Sequence, residues 1–124
     1  MALTAAELLQ IHRVGEFKVA SIYVMTMDWT SCKIGYAKNV KLRRDELQVG
    51  SPIPVTIYWA ARLFHADAIS LEKECHKSLK NQKKHIRGEW FKLHPYLAVD
   101  AVKRIADELG YEFVVEISLN INDQ

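Results

Sequence analysis

Hydrophobic and polar positions along the chain first resolve into strand-like runs. Residues 19–27 and 55–64 are rich in β-branched and aromatic side chains, and 32–36 is a shorter run of the same kind, so three strands are predicted. A turn over 28–31 separates the first two, which are expected to form an antiparallel hairpin. Residues 111–117 alternate between apolar and polar positions and predict a last strand.

Capping residues and helical periodicity predict four helices. Thr4 and Glu7 form a capping box for the first, Asn39 caps the second, and Pro95 opens the last. Residues 85–93 are expected to be irregular or briefly extended. The element order α-β-β-α-β-α-α-β indicates an α/β (α+β) fold, with a small antiparallel three-stranded sheet flanked by helices. The helices are predicted over residues 4–15, 39–49, 66–84 and 95–109.

The chain is expected to contain one central domain with two short extensions. Residues 1–17 form an N-terminal helical extension, 18–108 the domain, and 109–124 a C-terminal strand and tail. Alternation in the last strand places four apolar residues on one face, which must be covered by the domain's own sheet or by a second chain. Of these alternatives we slightly favour the second, a symmetric homodimer through this strand.

Composition narrows the class of protein without indicating a chemistry. The 124 residues are 49% hydrophobic and 26% charged, as in ordinary globular proteins. No apolar run approaches the ~18 residues that cross a membrane, and the first residues do not form a secretion signal. Two cysteines, Cys32 and Cys75, do not form a disulfide framework. We therefore expect no membrane association, free thiols and a cytoplasmic location.

Charge is distributed unevenly along the chain. Residues 31–94 carry thirteen Lys and Arg against six acids, whereas 95–124 carry two against six. The cations concentrate in two clusters, at 38–44 and 73–87. Clustered cations neutralise phosphates, but most charge runs are solvated helix faces, and charge alone leaves these two interpretations equal.

Glu72 occupies an unusual position for a carboxylate. On an ideal helix it borders the apolar stripe that contains Leu71 and Cys75, and His76 lies one turn further along the same flank. A carboxylate beside apolar surface is costly unless it is paired or binds a cation. Considered alone, Glu72 is more simply explained as a boundary residue that reaches solvent or pairs with Lys73 or His76.

An ordered set of motifs changes this interpretation. Two triplets lie on the adjacent strands of the predicted hairpin, an arginine follows on the next helix, and a glutamate follows on the long helix. The pattern resembles the GIY-YIG nuclease superfamily over residues 18–108, and in particular its small phage and fungal branch with KIG as second triplet. The matching residues are Ser21-Ile22-Tyr23, Lys33-Ile34-Gly35, Arg43, Leu71-Glu72 with His76, and Glu89-Trp90-Phe91.

The resemblance implies metal-dependent hydrolysis of phosphodiester bonds in DNA. Glu72 would hold Mg²⁺ or Mn²⁺, which prefer carboxylate oxygen. Arg43 would bind the scissile phosphate, and Tyr23 would orient or deprotonate the attacking water. His76 either contacts phosphate or water, or is a surface histidine paired with Glu72; both alternatives stay open.

Two positions depart from the family pattern. The family at large has tyrosine at the position of Lys33, and related repair nucleases have lysine at the position of Tyr36, so the two side-chain types look exchanged. Lys33 and Tyr36 are nevertheless retained as candidate catalytic residues. Lys33 is a candidate for the charge that would lower the pKa of Tyr23 or Tyr36.

The remaining candidates concern binding. Glu89 is a weaker candidate for a group that supports the site, and Asn81 for a phosphate contact. Zinc held by Cys75 and nearby histidines is not expected, because the spacing matches no common zinc pattern. The alternatives to an endonuclease are a DNA-binding or interaction module that kept the fold, and a regulatory protein that docks through the acidic residues 95–124. The expected DNA-binding residues are Lys38, Lys41, Arg44, Lys80, Lys83, Lys84 and Arg87.

Overall fold

A computed structural model describes residues 18–118 of the chain. The predicted first helix, from Thr4 to Gly15, lies outside the described residues. The elements are β1 (Val19–Thr26), β2 (Cys32–Ala37), α1 (Val40–Val49), β3 (Thr56–Phe64), α2 (His65–Asn81), β4 (His85–Arg87), β5 (Trp90–Phe91), α3 (Pro95–Leu109) and β6 (Val115–Ser118).

All strands of the described residues belong to one antiparallel sheet, with the order β4-β5-β2-β1-β3-β6. The predicted α+β class is confirmed, but the sheet is larger than the predicted three strands, because it has six within the described residues. Residues 85–93, expected to be irregular or briefly extended, contain the short hairpin of β4 and β5. These strands are three and two residues long, too short for an alternating pattern to be recognised.

Strand β6 pairs with β3 of its own chain, with Ala60 opposite Ile117. This is the alternative to the predicted homodimer, for which the structure offers no support. The predicted single apolar face does not form either. Tyr111 and Phe113 pack against the core before the strand begins, whereas Val115 and Ile117 lie on the other side of the sheet.

Helices cover the two faces of the sheet unequally. Helices α2 and α3 pack on one side, here called the two-helix face, where Ile22, Ile34 and Trp59 are buried beneath them. Helix α1 packs on the opposite side, the α1 face, over Tyr23 and Met25. The residues that the structure describes contain no helix long and apolar enough to cross a membrane.

Local chemistry explains most helix ends. Asn39 caps α1 by accepting a 2.9 Å hydrogen bond from the Leu42 amide, as predicted. Gly110 ends α3 in the left-handed conformation, with φ of 77°. Helix α2 ends at Asn81 rather than at the predicted residue 84. Lys83 adopts a φ of 60° there, and the Lys84 amide donates to the Leu79 carbonyl, which closes the helix.

Candidate active site at the outer edge of strand β2

The outer edge of β2 is covered by side chains as well as by a strand. Strand β5 pairs only with Cys32 and Lys33. Further along, Ile34 donates its amide to the Glu89 carbonyl at 3.2 Å, and the Ile34 carbonyl accepts from His76 Nε2 at 2.7 Å. The Glu72 carboxyl accepts from the next amide that points to this outer edge, that of Tyr36. Helix α2 is thereby held with Glu72 and His76 against the strand.

Glu72 is a half-buried carboxyl whose oxygens are incompletely paired. Its Oε2 atom is buried and has no hydrogen-bond partner in the described part of the chain. Burial raises the pKa of Glu72 to about 7, and the nearby Glu89 carboxylate acts in the same direction. Pairing with His76, one of the alternatives left open, does not occur, because His76 is bonded to the Ile34 carbonyl. A polar oxygen left in this state is destabilising unless a ligand completes it.

Tyr23 lies across β2 at Gly35. A Cβ built on Gly35 would come within 2.6 Å of Tyr23 Cζ, so only glycine leaves room for the ring. The Tyr23 hydroxyl meets the Arg43 guanidinium, supplied by α1. Burial raises the pKa of Tyr23 to about 12, and the hydrogen bond with Arg43 offsets this only in part. A cation lowering the phenol pKa was the expectation; the net shift is upward.

Lys33 is a buried cation held by Glu89. Its Nζ atom lies 2.5 Å from Glu89 Oε2, and 7% of its side chain is exposed. The ammonium group also lies 5.9 Å from the Trp90 ring centroid. Glu89, a weaker candidate from the sequence, is therefore the partner of Lys33 and a neighbour of Glu72. The sequence signal for this role was the Glu-Trp-Phe triplet itself.

Tyr36 lies on the opposite side of the sheet from Lys33. In the β1–β2 register Lys33 stands opposite Met25, on the α1 face, whereas Tyr36 stands opposite Ile22, on the two-helix face. Successive side chains of a strand point to opposite faces, so positions 33 and 36 are not interchangeable. The apparent exchange of lysine and tyrosine is thus not an exchange in space. The Tyr36 ring contacts His65, with 6.0 Å between ring centroids.

His76 is a neutral hydrogen-bond donor. A carbonyl only accepts, so the 2.7 Å contact requires a proton on Nε2, and burial lowers the pKa of the ring. The ring also packs edge-on against Phe91, with 5.0 Å between centroids. Nδ1 is then the acceptor nitrogen. His76 therefore fixes the spacing between α2 and β2, whatever else it contacts.

Comparison with known proteins adds a family to this geometry. A family model, the T5orf172 domain, matches residues 20–109. The chain belongs to the T5orf172 domain family. This domain is found in phage and nuclease-like proteins. No curated protein and no solved structure matches the chain.

The match spans the T5orf172 domain from β1 to the end of α3, so it contains every residue gathered at the β2 edge. Beside that edge, α2 lines a depression of about 460 Å³. Lys80, one of the candidate DNA-binding residues, lies there, and so do Lys73 and Lys77, which were not among those candidates. The sequence signal for these two lysines was their i, i+4 spacing from each other and their adjacency to Glu72 and His76. The lining residues are Glu72, Lys73, His76, Lys77, Lys80 and Asn81.

The two predicted basic clusters of the T5orf172 domain lie on opposite faces of the sheet, because α1 and α2 do. Lys83, Lys84 and Arg87 are exposed beyond the end of α2. Arg44 has a structural contact: its Nε donates to the Val55 carbonyl at 2.8 Å and ties α1 to the start of β3. Lys38 and Lys41 lie at the start of α1.

Proposed function

We propose that this chain is a divalent-metal-dependent DNA endonuclease with a site of the GIY-YIG type. The observation that carries the proposal is the meeting of Tyr23, Arg43 and Glu72 around one strand edge. Arg43 and Glu72 both lie close enough to Tyr23 to influence its pKa. Three elements supply these residues, so their proximity depends on the folded chain. Membership of a family found in phage and nuclease-like proteins is consistent with a nuclease or DNA-binding role.

Glu72 fits a hard divalent cation. Its buried oxygen without a partner and its raised pKa both indicate a carboxyl that a cation would stabilise. No cluster of three or more His, Cys, Asp or Glu suited to a metal occurs between residues 18 and 118. Water would therefore supply most ligands, as is usual for Mg²⁺. Bound there, Mg²⁺ or Mn²⁺ would add positive charge beside the phosphate during hydrolysis.

The other side chains have distinct roles in this proposal. Arg43 binds oxygens of the scissile phosphate and offsets the negative charge that grows in the transition state. Tyr23, with a pKa near 12, keeps its proton at neutral pH and orients the attacking water or a phosphate oxygen as a donor. Lys33 and Glu89 hold each other beneath the site and keep its charge balanced.

A DNA-binding module without turnover is the second candidate. The observation that favours it is Lys33, which is buried and engaged with Glu89 rather than presented to a substrate. Such a module would bind DNA without metal and without need of Glu72.

A plasmid-nicking assay with Mg²⁺, Mn²⁺ or EDTA tests the proposal. Glu72→Gln is expected to reduce nicking by about 10²-fold or more, because the charge that holds the cation is lost. Binding of labelled DNA in EDTA should change less than threefold. Glu74→Gln, on the same helix, is the matched control and should nick as the parent protein does.

Three results separate the candidates. Loss of nicking in Glu72→Gln alone supports the endonuclease. Equal nicking by Glu72→Gln and its parent overturns the role of Glu72. DNA binding in EDTA without nicking under any metal condition supports the binding module.

A further inference from the structure

A second cleft lies on the α1 face, between the start of α1 and strand β6. It encloses about 450 Å³ and shares no lining residue with the candidate active site. Three cations form its rim, and small or branched apolar side chains form much of its floor and far wall. The residues that matter here are Lys38, Lys41, Arg62, Ala60, Val115 and Ile117.

Among the residues that the structure describes, no acidic side chain pairs with the cations around this cleft. Lys38, Lys41 and Arg62 are exposed, and no ion pair involves them in the part of the chain that the structure describes. No Asp or Glu among the described residues lines the cleft. Like charges brought together without counter-charges repel one another, and an anion relieves that repulsion. The cleft is therefore suited to a ligand with negative charge.

The positive charge extends beyond one cleft. A neighbouring depression of about 350 Å³ shares Lys38 and Arg62 with it and adds Lys18. The cations thus follow a path instead of surrounding one point. A path of this kind suits a chain of phosphates better than a single phosphate.

The cleft also lies next to the candidate active site. Ser21 lines the cleft, and Tyr23 projects from the same face of β1 two residues further on, about 7 Å along the strand. At that separation one nucleic-acid strand can contact both the cleft and the candidate active site. Helix α1 carries both Lys41 of the cleft and Arg43 of the site.

We propose that this cleft binds the sugar-phosphate backbone of a nucleic-acid strand on its way to the candidate active site. Lys38, Lys41 and Arg62 contact phosphates, and sugars lie against Val115 and Ile117, which are 44% and 63% exposed. The proposal rests on the proposed function for the identity of its ligand. It assigns a binding role to β6 and to Arg62, both of which lie outside the two basic clusters at 38–44 and 73–87.

Salt dependence of binding tests the cleft directly. The Lys38→Gln/Arg62→Gln double variant is compared with its parent by fluorescence anisotropy on labelled single-stranded DNA, in EDTA, between 50 and 200 mM salt. Loss of two phosphate contacts should lower the slope of log K against log salt by about 1.4. Arg104→Gln, an exposed cation on α3, is the matched control and should leave the slope unchanged. Circular dichroism melting of each variant checks the fold.

Oligonucleotide length provides the second readout. The parent should bind strands of 12 nucleotides more tightly than strands of 3, and the double variant should lose most of that advantage. An unchanged slope and an unchanged length dependence in the double variant overturn the cleft. Equal competition by inorganic phosphate and by the 12-nucleotide strand, at equal phosphate concentration, also overturns it, because a single anion site would then suffice.

Failure of the cleft and failure of the endonuclease are distinguishable. A lowered slope in the double variant, in a protein that nicks no plasmid, supports the cleft and overturns the endonuclease. Nicking that depends on Glu72, with unaltered binding by the double variant, supports the endonuclease and overturns the cleft.

Discussion

On the two-helix face, α2 and α3 bury four and six of their residues respectively, whereas on the α1 face a single ten-residue helix covers the sheet with no residue of its own fully buried. The first face contains most of the apolar core. The second contains a small cluster around Tyr23, Met25, Val55 and Ala60, together with the buried lysine and the cation-lined cleft.

The two faces therefore differ in their main role: the two-helix face contributes most of the stability, and the α1 face carries much of the candidate chemistry. A face covered by two amphipathic helices has little room for polar side chains, because each would lose its hydration. The α1 face, covered by one short helix, accommodates the polar side chains of Tyr23, Lys33 and Ser21, which are buried there, while the two-helix face holds most of the apolar core. The proposed site lies where the faces meet, at the edge of β2, so Glu72 reaches it from one side and Arg43 from the other.

The largest expected effect is a difference in the cost of truncating leucines on the two faces. Leu71→Ala on α2 should destabilise the protein by about 2–5 kcal/mol, because it opens a cavity in the main core. Leu47→Ala on α1 should cost only about 1 kcal/mol, because the side chain is half-buried. Urea denaturation measures both free energies of unfolding. Equal losses of unfolding free energy would show that the two faces contribute equally to the stability of the protein.

A smaller effect is expected where Tyr23 crosses the strand. Gly35→Ala should destabilise the protein by about 1–3 kcal/mol, because the new Cβ would overlap the Tyr23 ring. Gly50→Ala is the matched control, since a Cβ there meets nothing within 4 Å and φ is −94°. Thermal and urea denaturation give the two values. If Gly35→Ala leaves the free energy of unfolding unchanged, the Tyr23 ring moves aside without cost. The proposed position of Tyr23 would then lose its support.

The smallest effect concerns the attachment of β6 to the two-helix face. Glu116 accepts from Trp59 Nε1 at 2.8 Å and pairs with Lys103 at 2.6 Å, and these contacts lower the pKa of Glu116 below its usual value of 4.5. A lowered pKa stabilises the folded protein above pH 4.5, and this stabilisation is lost as pH falls through the folded-state value. It should stay below about 1 kcal/mol, because solvent screens a carboxylate that is 38% exposed.

Glu116→Gln tests this attachment by urea denaturation across pH. The free energy of unfolding should fall below that of the parent at pH 7, and the difference should shrink as pH drops below 4.5. Glu112→Gln, an exposed acid four residues earlier, should show no such dependence. A difference independent of pH would remove the ion pair with Lys103 as its cause.

Much of this organisation depends on short-range chemistry that the sequence displays. The Asn39 cap, Pro95 and Gly110 set helix ends through contacts within a few residues, so their bounds were predictable. The apolar stripe of α2 placed Glu72 correctly at its border, because helical periodicity is a property of neighbouring residues. The family-like motifs indicated which residues would gather at β2, since their order matched known spacing.

Other features depend on contacts between distant segments. The pairing of β6 with β3 joins residues 53 to 59 positions apart, and a four-residue strand carries no signal that selects its partner. The engagement of Lys33 by Glu89, and of His76 by the Ile34 carbonyl, required the positions of β5 and α2. Arg62 reaches the cleft only because β3 lies between β1 and β6. The sequence by itself determined the elements and the types of side chain available; tertiary structure decided which side chains meet, because packing and strand pairing are set by the whole chain at once.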